Sequence, residues 1–364
     1  MDWNIIGHEW AVNLLRSHLA TGRVRHAYLL TGPDAVGKRT LATRFAQALN
    51  CEAQLAAGET CGECRACTLI PRQEYPDLHV VEVGQLDKLQ DIASDRHVGG
   101  TEQRGDKTEY ISASSKVKVK QIRVLQRQLA LAPYEGRWRV ALLLRFWEAS
   151  ESAANALLKT LEEPAPKVVM LLTARSAESL LPTIVSRCEV LPLRALSRSE
   201  LKEGLLERGE PEDRAELLAG LAAGRPGWAL KLSKDPNQLS RRTALLEDLF
   251  SLLGKSKAER FNYAASFRSS KKERLQEVRE RAIETLETWL SLWRDVMILA
   301  FEADASAQNP DRQSDLERIA VNIHPEQVVN AVRGTANTLQ AIQQYANIQL
   351  AMETLMLDMP RLET

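Results

Sequence analysis

The 364-residue sequence predicts an α/β domain built on a parallel sheet, followed by an all-helical region. Three observations carry that expectation. A loop of the form G-x-x-x-x-G-K, from Gly32 to Lys38, stands between an apolar strand and a helix start. Apolar runs and helix-period segments alternate as far as Leu193. After Ser197 every periodic segment is helical.

Taken in order, residues 5–22 carry Ile5, Ile6, Trp10, Val12, Leu14, Leu15 and Leu19 at roughly helical spacing, which predicts an amphipathic helix ahead of the first strand. Tyr28-Leu29-Leu30 then enters the glycine-bounded turn. Gly32 and Gly37 permit backbone angles that a side chain forbids. The amides of the turn and of the next helix start face an anion, and Lys38 offers it a point charge. The hydroxyl that ligates magnesium belongs directly after the lysine. Here Arg39 stands there and Thr40 comes one residue late, rotated by about 100°. The following helix runs through Leu41, Phe45 and Leu49 to Cys51.

Four of the five cysteines follow as Cys51-x9-Cys61-x2-Cys64-x2-Cys67. Two adjacent C-x2-C steps and a fourth thiol upstream suit one tetrahedral ion, with structural zinc as the natural occupant. The competing reading is four unrelated buried cysteines. Cys188 stands apart. Pro76 to Val83 predicts a second strand, residues 84–115 a polar surface excursion, Val119 to Leu131 a helix, and Trp138 to Leu144 a buried strand. The positions where that strand should end in magnesium-holding acids are Leu144 and Arg145; Glu148, further on, reads as a solvated charge. A helix over Ser150–Leu161, a strand over Val168–Leu172 ending at Thr173, and a strand over Glu189–Leu193 complete the α/β part. Short helices are expected over 197–208 and 212–223, a third from Gly224, a linker at Asp235-Pro236-Asn237, and helices throughout 238–364. A stripe of Ile283, Leu286, Leu290, Trp293 and Met297 reads as core.

Composition is that of an ordinary globular chain, 44% hydrophobic and 26% charged, which at this length suits two or three domains. Lys+Arg and Asp+Glu are both 48. A protein that coats DNA alone is usually basic, so any nucleic-acid role must be local or shared with partners. No apolar run approaches membrane-spanning length, and the start lacks a basic-then-apolar leader, so a cytoplasmic location is expected.

Gly32 to Thr40, the four-cysteine insert, Ala153-Ala154-Asn155-Ala156-Leu157-Leu158-Lys159-Thr160-Leu161-Glu162-Glu163-Pro164 and Ser186-Arg187-Cys188 occur in this order. Together they resemble the bacterial clamp-loader subunits of DNA polymerase III. The resemblance is specific over residues 26–230 and loose in the last third. It implies an AAA+ P-loop domain over 1–193, with the zinc module at 51–67, a helical lid over 194–236 and an all-helical collar over 237–364. It also implies a five-subunit ring with gamma/tau and delta that places the beta sliding clamp on primed DNA.

Within this family, a gamma/tau motor would carry Ser or Thr at position 39, Asp-Glu at 144–145 and an arginine at the position matching Gly227. All three are missing while Ser186-Arg187-Cys188 is intact. The pattern resembles the member that does not hydrolyse ATP itself but belongs to the polymerase holoenzyme. The resemblance gives Arg187 the role of an arginine finger reaching into a neighbour's ATP site, a contribution worth about 10³–10⁵ in rate. Without it, Arg187 reads as a surface arginine with an ion-pair partner. Gly32, Gly37, Lys38 and Thr40 either still hold a phosphate or form a relic loop, so ATP and Mg2+ are doubtful for this chain. Two other classes stay open: an autonomous P-loop ATPase (clamp-loader motor or helicase loader), and a zinc-dependent nucleic-acid module. The zero net charge and the lack of basic–aromatic interleaving near the cysteines speak against the second.

Overall fold

Successive side chains of the central strands alternate between two apolar layers, and this alternation organises the first part of the chain. The computed structural model describes residues 3–53, 58–83, 116–268, 275–303, 305 and 307–362. The polar excursion expected at 84–115 lies outside the described residues. Contacts divide the chain into two units, residues 1–196 with 225–227, and residues 197–224 with 228–364.

In the first unit, β1 (Ala27–Thr31), β2 (Leu78–Val81), β3 (Arg139–Leu143), β4 (Val168–Ala174) and β5 (Glu189–Pro192) form one sheet in the order β2-β3-β4-β1-β5. All pairings are parallel, with Leu29 opposite Leu172 and Leu142 opposite Leu171. Every residue of β1, β3 and β4 is buried, as expected of strands covered on both faces. On one face Tyr28, Leu30, Leu142, Val169 and Leu171 pack with α1 (Glu9–Ala20) and α2 (Lys38–Asn50). On the other, Leu29, Ala141, Leu143, Met170 and Leu172 pack with α4 (Val119–Leu129) and α5 (Glu151–Glu162). Short helices α3 (Arg65–Leu69) and α6 (Pro182–Val185) complete this unit.

A buried polar hub ties the strand ends together. Asp77 is fully buried and accepts the amides of Tyr134 (2.7 Å), Glu135 (2.9 Å) and Gly136 (2.7 Å). Arg139 donates to the same carboxylate through Nη2 at 3.1 Å. Burial works against the charged form, but these donors prevail and hold Asp77 below the usual carboxylate range. Alongside, Asn50 exchanges two hydrogen bonds with the backbone of Trp138, at 3.0 and 2.9 Å.

The second unit is helical: α7 (Arg198–Leu206), α8 (Glu212–Ala222), α9 (Pro226–Lys234, entering after Gly227), α10 (Pro236–Gly254), α11 (Lys257–Ala265), α12 (Leu275–Ala300), α13 (Gln313–Asn322), α14 (Pro325–Gln343) and α15 (Ile348–Asp358). The Asp235-Pro236-Asn237 linker is instead a helix start. The Asp235 side chain caps the amide of Asn237 at 3.0 Å, and Pro236 takes the first helical position, where its missing N–H costs nothing. The buried face of α12 is turned slightly from the stripe read in the sequence. Leu286 and Trp293 lie at its centre with Trp289, Leu292 and Val296, whereas Ile283 and Met297 sit at its margin. Arg260 is buried with no carboxylate partner among the described residues. It donates to four carbonyls, those of Leu252, Leu253, Met359 and Pro360.

Candidate functional site

The chain leaves β1 into the glycine-bounded loop. Gly32 has φ +139°, and a Cβ there would fall 2.1 Å from the Leu193 carbonyl oxygen, so only glycine passes this point. Gly37, at φ +111°, makes the left-handed entry into α2. Lys38, the first residue of that helix, is buried, and its ammonium donates to the loop's own carbonyls at Gly32 and at Pro33 (2.8 Å). Burial pushes the Lys38 pKa down; Asp34, 3.9 Å away, opposes the fall, and Arg175 adds to it. Arg39 and Thr40 are both exposed at the cleft mouth.

The cleft beside this loop has a volume of about 240 Å³ and is bordered by Lys38, Thr40, Leu144, Trp147, Thr173 and Gly227, among others. Its charges are already spent on one another. Asp34 accepts from Arg175 at 3.0 and 3.2 Å, Glu82 from Arg39 at 3.5 Å, and Glu148 pairs with Arg145. Glu148 is thus an ion-pair partner within a single 3-10 turn, Phe146–Glu148. Leu144, at one of the two positions where an acid is expected from the sequence, is buried. Thr173 Oγ1 accepts the Arg145 amide at 2.8 Å. Trp147 lies among three cations: Lys38 Nζ, Arg145 Cζ and Arg175 Cζ are 5.8, 5.6 and 5.2 Å from its ring centroid.

The four cysteines that the spacing brings together do meet. Sulfur atoms of Cys51, Cys61, Cys64 and Cys67 all lie within 4.8 Å of one another and could hold a metal ion. The Cys61 amide points at the Cys51 sulfur and the Cys64 amide at the Cys61 sulfur, each at 3.3 Å. Amide donors of this kind stabilise thiolates, and those of Cys64 and Glu63 pull the Cys61 thiol down to about 6. Cys188 takes no part: it packs against the sheet core and burial pushes its thiol up to about 12.

Arg187 lies at the surface, its side chain 34% exposed. It follows α6, whose Ile184 is buried in the core and fixes the turn. Nη1 donates to the Thr183 carbonyl at 2.9 Å, and Nη2 to Glu162 Oε1 at 2.7 Å. The Arg187 site and the P-loop cleft are separate features of the first unit.

One charged feature escaped the motif-based reading. Lys120, Arg123 and Arg127 are exposed along α4, opposite the buried Gln121, Ile122, Leu125 and Leu129. Their spacing places them within about 60° on one face. None of the three pairs with a carboxylate among the described residues. Single residues in a neutral chain give little signal, but the 120-123-127 spacing on a predicted helix could have revealed them.

Among known proteins, the sequence profile described as "DNA polymerase III, delta subunit" matches residues 7–197. The chain is 36% identical over 211 residues to DNA polymerase III subunit delta' of Pseudomonas aeruginosa, covering 57% of this chain and 55% of that one. It is 33% identical over 236 residues to subunit tau of Escherichia coli, covering 63% and 32%. Subunit delta' of Bacillus subtilis is 25% identical over 348 residues, 95% of this chain and 94% of that one. The first two matches span about half and about a third of those proteins. Identity to delta' and to tau is nearly equal over the shared region, but the delta profile and the near full-length match to the Bacillus protein favour delta'.

Proposed function

Because the chain belongs to the family described as DNA polymerase III, delta subunit, we propose that it serves as the delta-prime subunit of a clamp loader, hydrolysing no ATP itself and lending Arg187 to a neighbouring gamma/tau site. In this reading it works in the cytoplasm in a five-membered ring with gamma/tau and delta, loading the beta clamp on primed DNA. The segments 194–236 and 237–364 act as lid and collar.

The observation that carries the proposal is the charge pairing of the cleft. Asp34, Glu82 and Glu148 each face an arginine, and the strand end offers Leu144 and Arg145. A magnesium ion needs carboxylate or hydroxyl oxygens; the acids here face arginines, and the hydroxyl that should follow Lys38 comes one residue late, at Thr40. Arg187, in contrast, stands at the surface with donor capacity to spare. A guanidinium there would neutralise charge developing on a transferred phosphoryl group. The exposed Lys120, Arg123 and Arg127 supply a local cationic stripe for a phosphate backbone despite the neutral chain.

Zinc suits the cysteine cluster. Zn–S bonds of about 2.3 Å in a tetrahedron put the sulfurs about 3.8 Å apart, and Cys61 and Cys67 sulfurs are 3.9 Å apart. Four thiolates leave no open position for water, so the ion would be structural.

The test is reconstitution with gamma/tau and delta. Arg187→Ala should leave assembly intact and lower clamp- and DNA-stimulated ATPase by about 10³-fold at the site it serves. Substantial Mg2+-dependent turnover by the purified chain alone would overturn the proposal in favour of an autonomous ATPase.

A further inference from the structure

We infer that Glu162 is a positioning residue for Arg187, holding its guanidinium ready for an acceptor outside the chain. The inference rests on the finger reading proposed above and concerns the residue behind it.

Glu162 is the last residue of α5. That is an unfavourable place for a carboxylate, because the helix end already carries partial negative charge from its unpaired carbonyls. Its counterpart at the other end, Glu151, sits where the helix favours an acid, beside the Ser150 cap. The charge of Glu162 therefore brings α5 no benefit of its own. What it does touch is Arg187, at 2.7 Å.

The pair is open to solvent, Arg187 in part at 34% and Glu162 at 50%. Surface pairs of this kind add little to fold stability. Their geometric effect is larger. An unrestrained arginine samples many rotamers, and fixing them on encounter costs binding free energy. Here the guanidinium is held at two points on two elements: Nη1 by the Thr183 carbonyl of α6, with a longer 3.5 Å contact to Ser186 Oγ, and Nη2 by Glu162 of α5. Five N–H bonds are available to arginine. These contacts leave the Nε–H and one N–H of Nη2 without a partner among the described residues, enough for a phosphoryl oxygen. Glu162 is thus a brace that leaves part of the donor fork open.

The test uses the whole reconstituted loader with four variants of this subunit. Glu162→Ala and Glu162→Ser, both too short to reach Arg187, should each lower kcat of clamp- and DNA-stimulated ATPase about tenfold, a loss of orientation rather than of the cation. KM for ATP and assembly should not change. Glu162→Gln keeps an oxygen that can accept from Nη2 and should remain within about threefold of wild type. Arg187→Ala should fall further than any of them. Truncation variants as fast as wild type, or faster, beside a slow Arg187→Ala would overturn the brace and leave the finger standing. A Gln variant as slow as Ala would also overturn it, because charge rather than geometry would then matter. Wild-type activity from Arg187→Ala would overturn the finger reading and the brace with it.

Discussion

Gly227 donates its amide to the Ala35 carbonyl across 2.8 Å, and a Cβ at position 227 would lie 2.9 Å from that same oxygen. Gly227, which belongs to the first unit, is thereby seated on the glycine-bounded loop, at the position where the family resemblance expects a motor to carry an arginine. Restoring a side chain there should not restore a motor. Gly227→Ala is expected to lower the Tm of the first unit by about 2–4 °C, the shift for about 1 kcal/mol of backbone displacement in a folding unit of that size. Gly227→Arg meets the same obstruction and should give no ATPase above background. Differential scanning calorimetry and a coupled turnover assay check both.

Metal analysis of freshly purified protein should find about one zinc per chain. Cys51→Ser or Cys64→Ser should lose it, because three thiolates no longer close the tetrahedron. Chelation should lower Tm, since metal-binding free energy is also folding free energy. Zinc retention should weaken as pH falls, because every ligand must shed its proton to bind.

Asp77 gives a prediction with a definite sign. Its folded pKa lies below the ordinary value, so its contribution is present in full above about pH 4 and is lost as pH falls through the depressed folded value. Asp77→Ala leaves Arg139 buried without its carboxylate and should cost about 3–5 kcal/mol. Asp77→Asn should also be less stable at neutral pH, with a flatter stability curve below about pH 4. Urea unfolding at several pH values, followed by tryptophan fluorescence, measures both.

Replacing Lys120, Arg123 and Arg127 together by alanine should weaken primed-DNA binding by the assembled loader uniformly across sequences. If each cation meets one phosphate, the slope of log K against log salt should become shallower by up to about 2.7. ATPase without DNA should be unchanged. Salt-dependent fluorescence anisotropy gives the slope directly.

Much of the fold was legible because burial on two faces leaves an unmistakable mark. Val140, Leu142 and Leu143 could hardly be anything but an inner strand, which stops one residue before the expected Leu144, and the strand from Val168 runs on to Ala174, one residue past Thr173. The cysteine cluster was legible because four ligands at fixed spacing have few other uses. Position 235–237 misled because Asp-Pro marks helix starts as well as linkers, and spacing alone cannot tell which. The stripe of α12 was rotated because Trp289 and Leu292 point inward with Trp293, a choice made by neighbouring helices that periodicity does not see. The role of Glu82 as a partner of Arg39 was invisible for another reason: the two are 43 positions apart, and only the sheet brings them together.

The strand that follows Arg187 forms one margin of the sheet and runs for only four residues, Glu189–Pro192. It closes on a residue with no amide hydrogen to give. A chain arriving on this flank therefore finds almost no ladder to extend. Choice of neighbour here must be exercised by protruding side chains, through their charge and reach. The same abbreviated border guards the protein against zipping onto copies of itself.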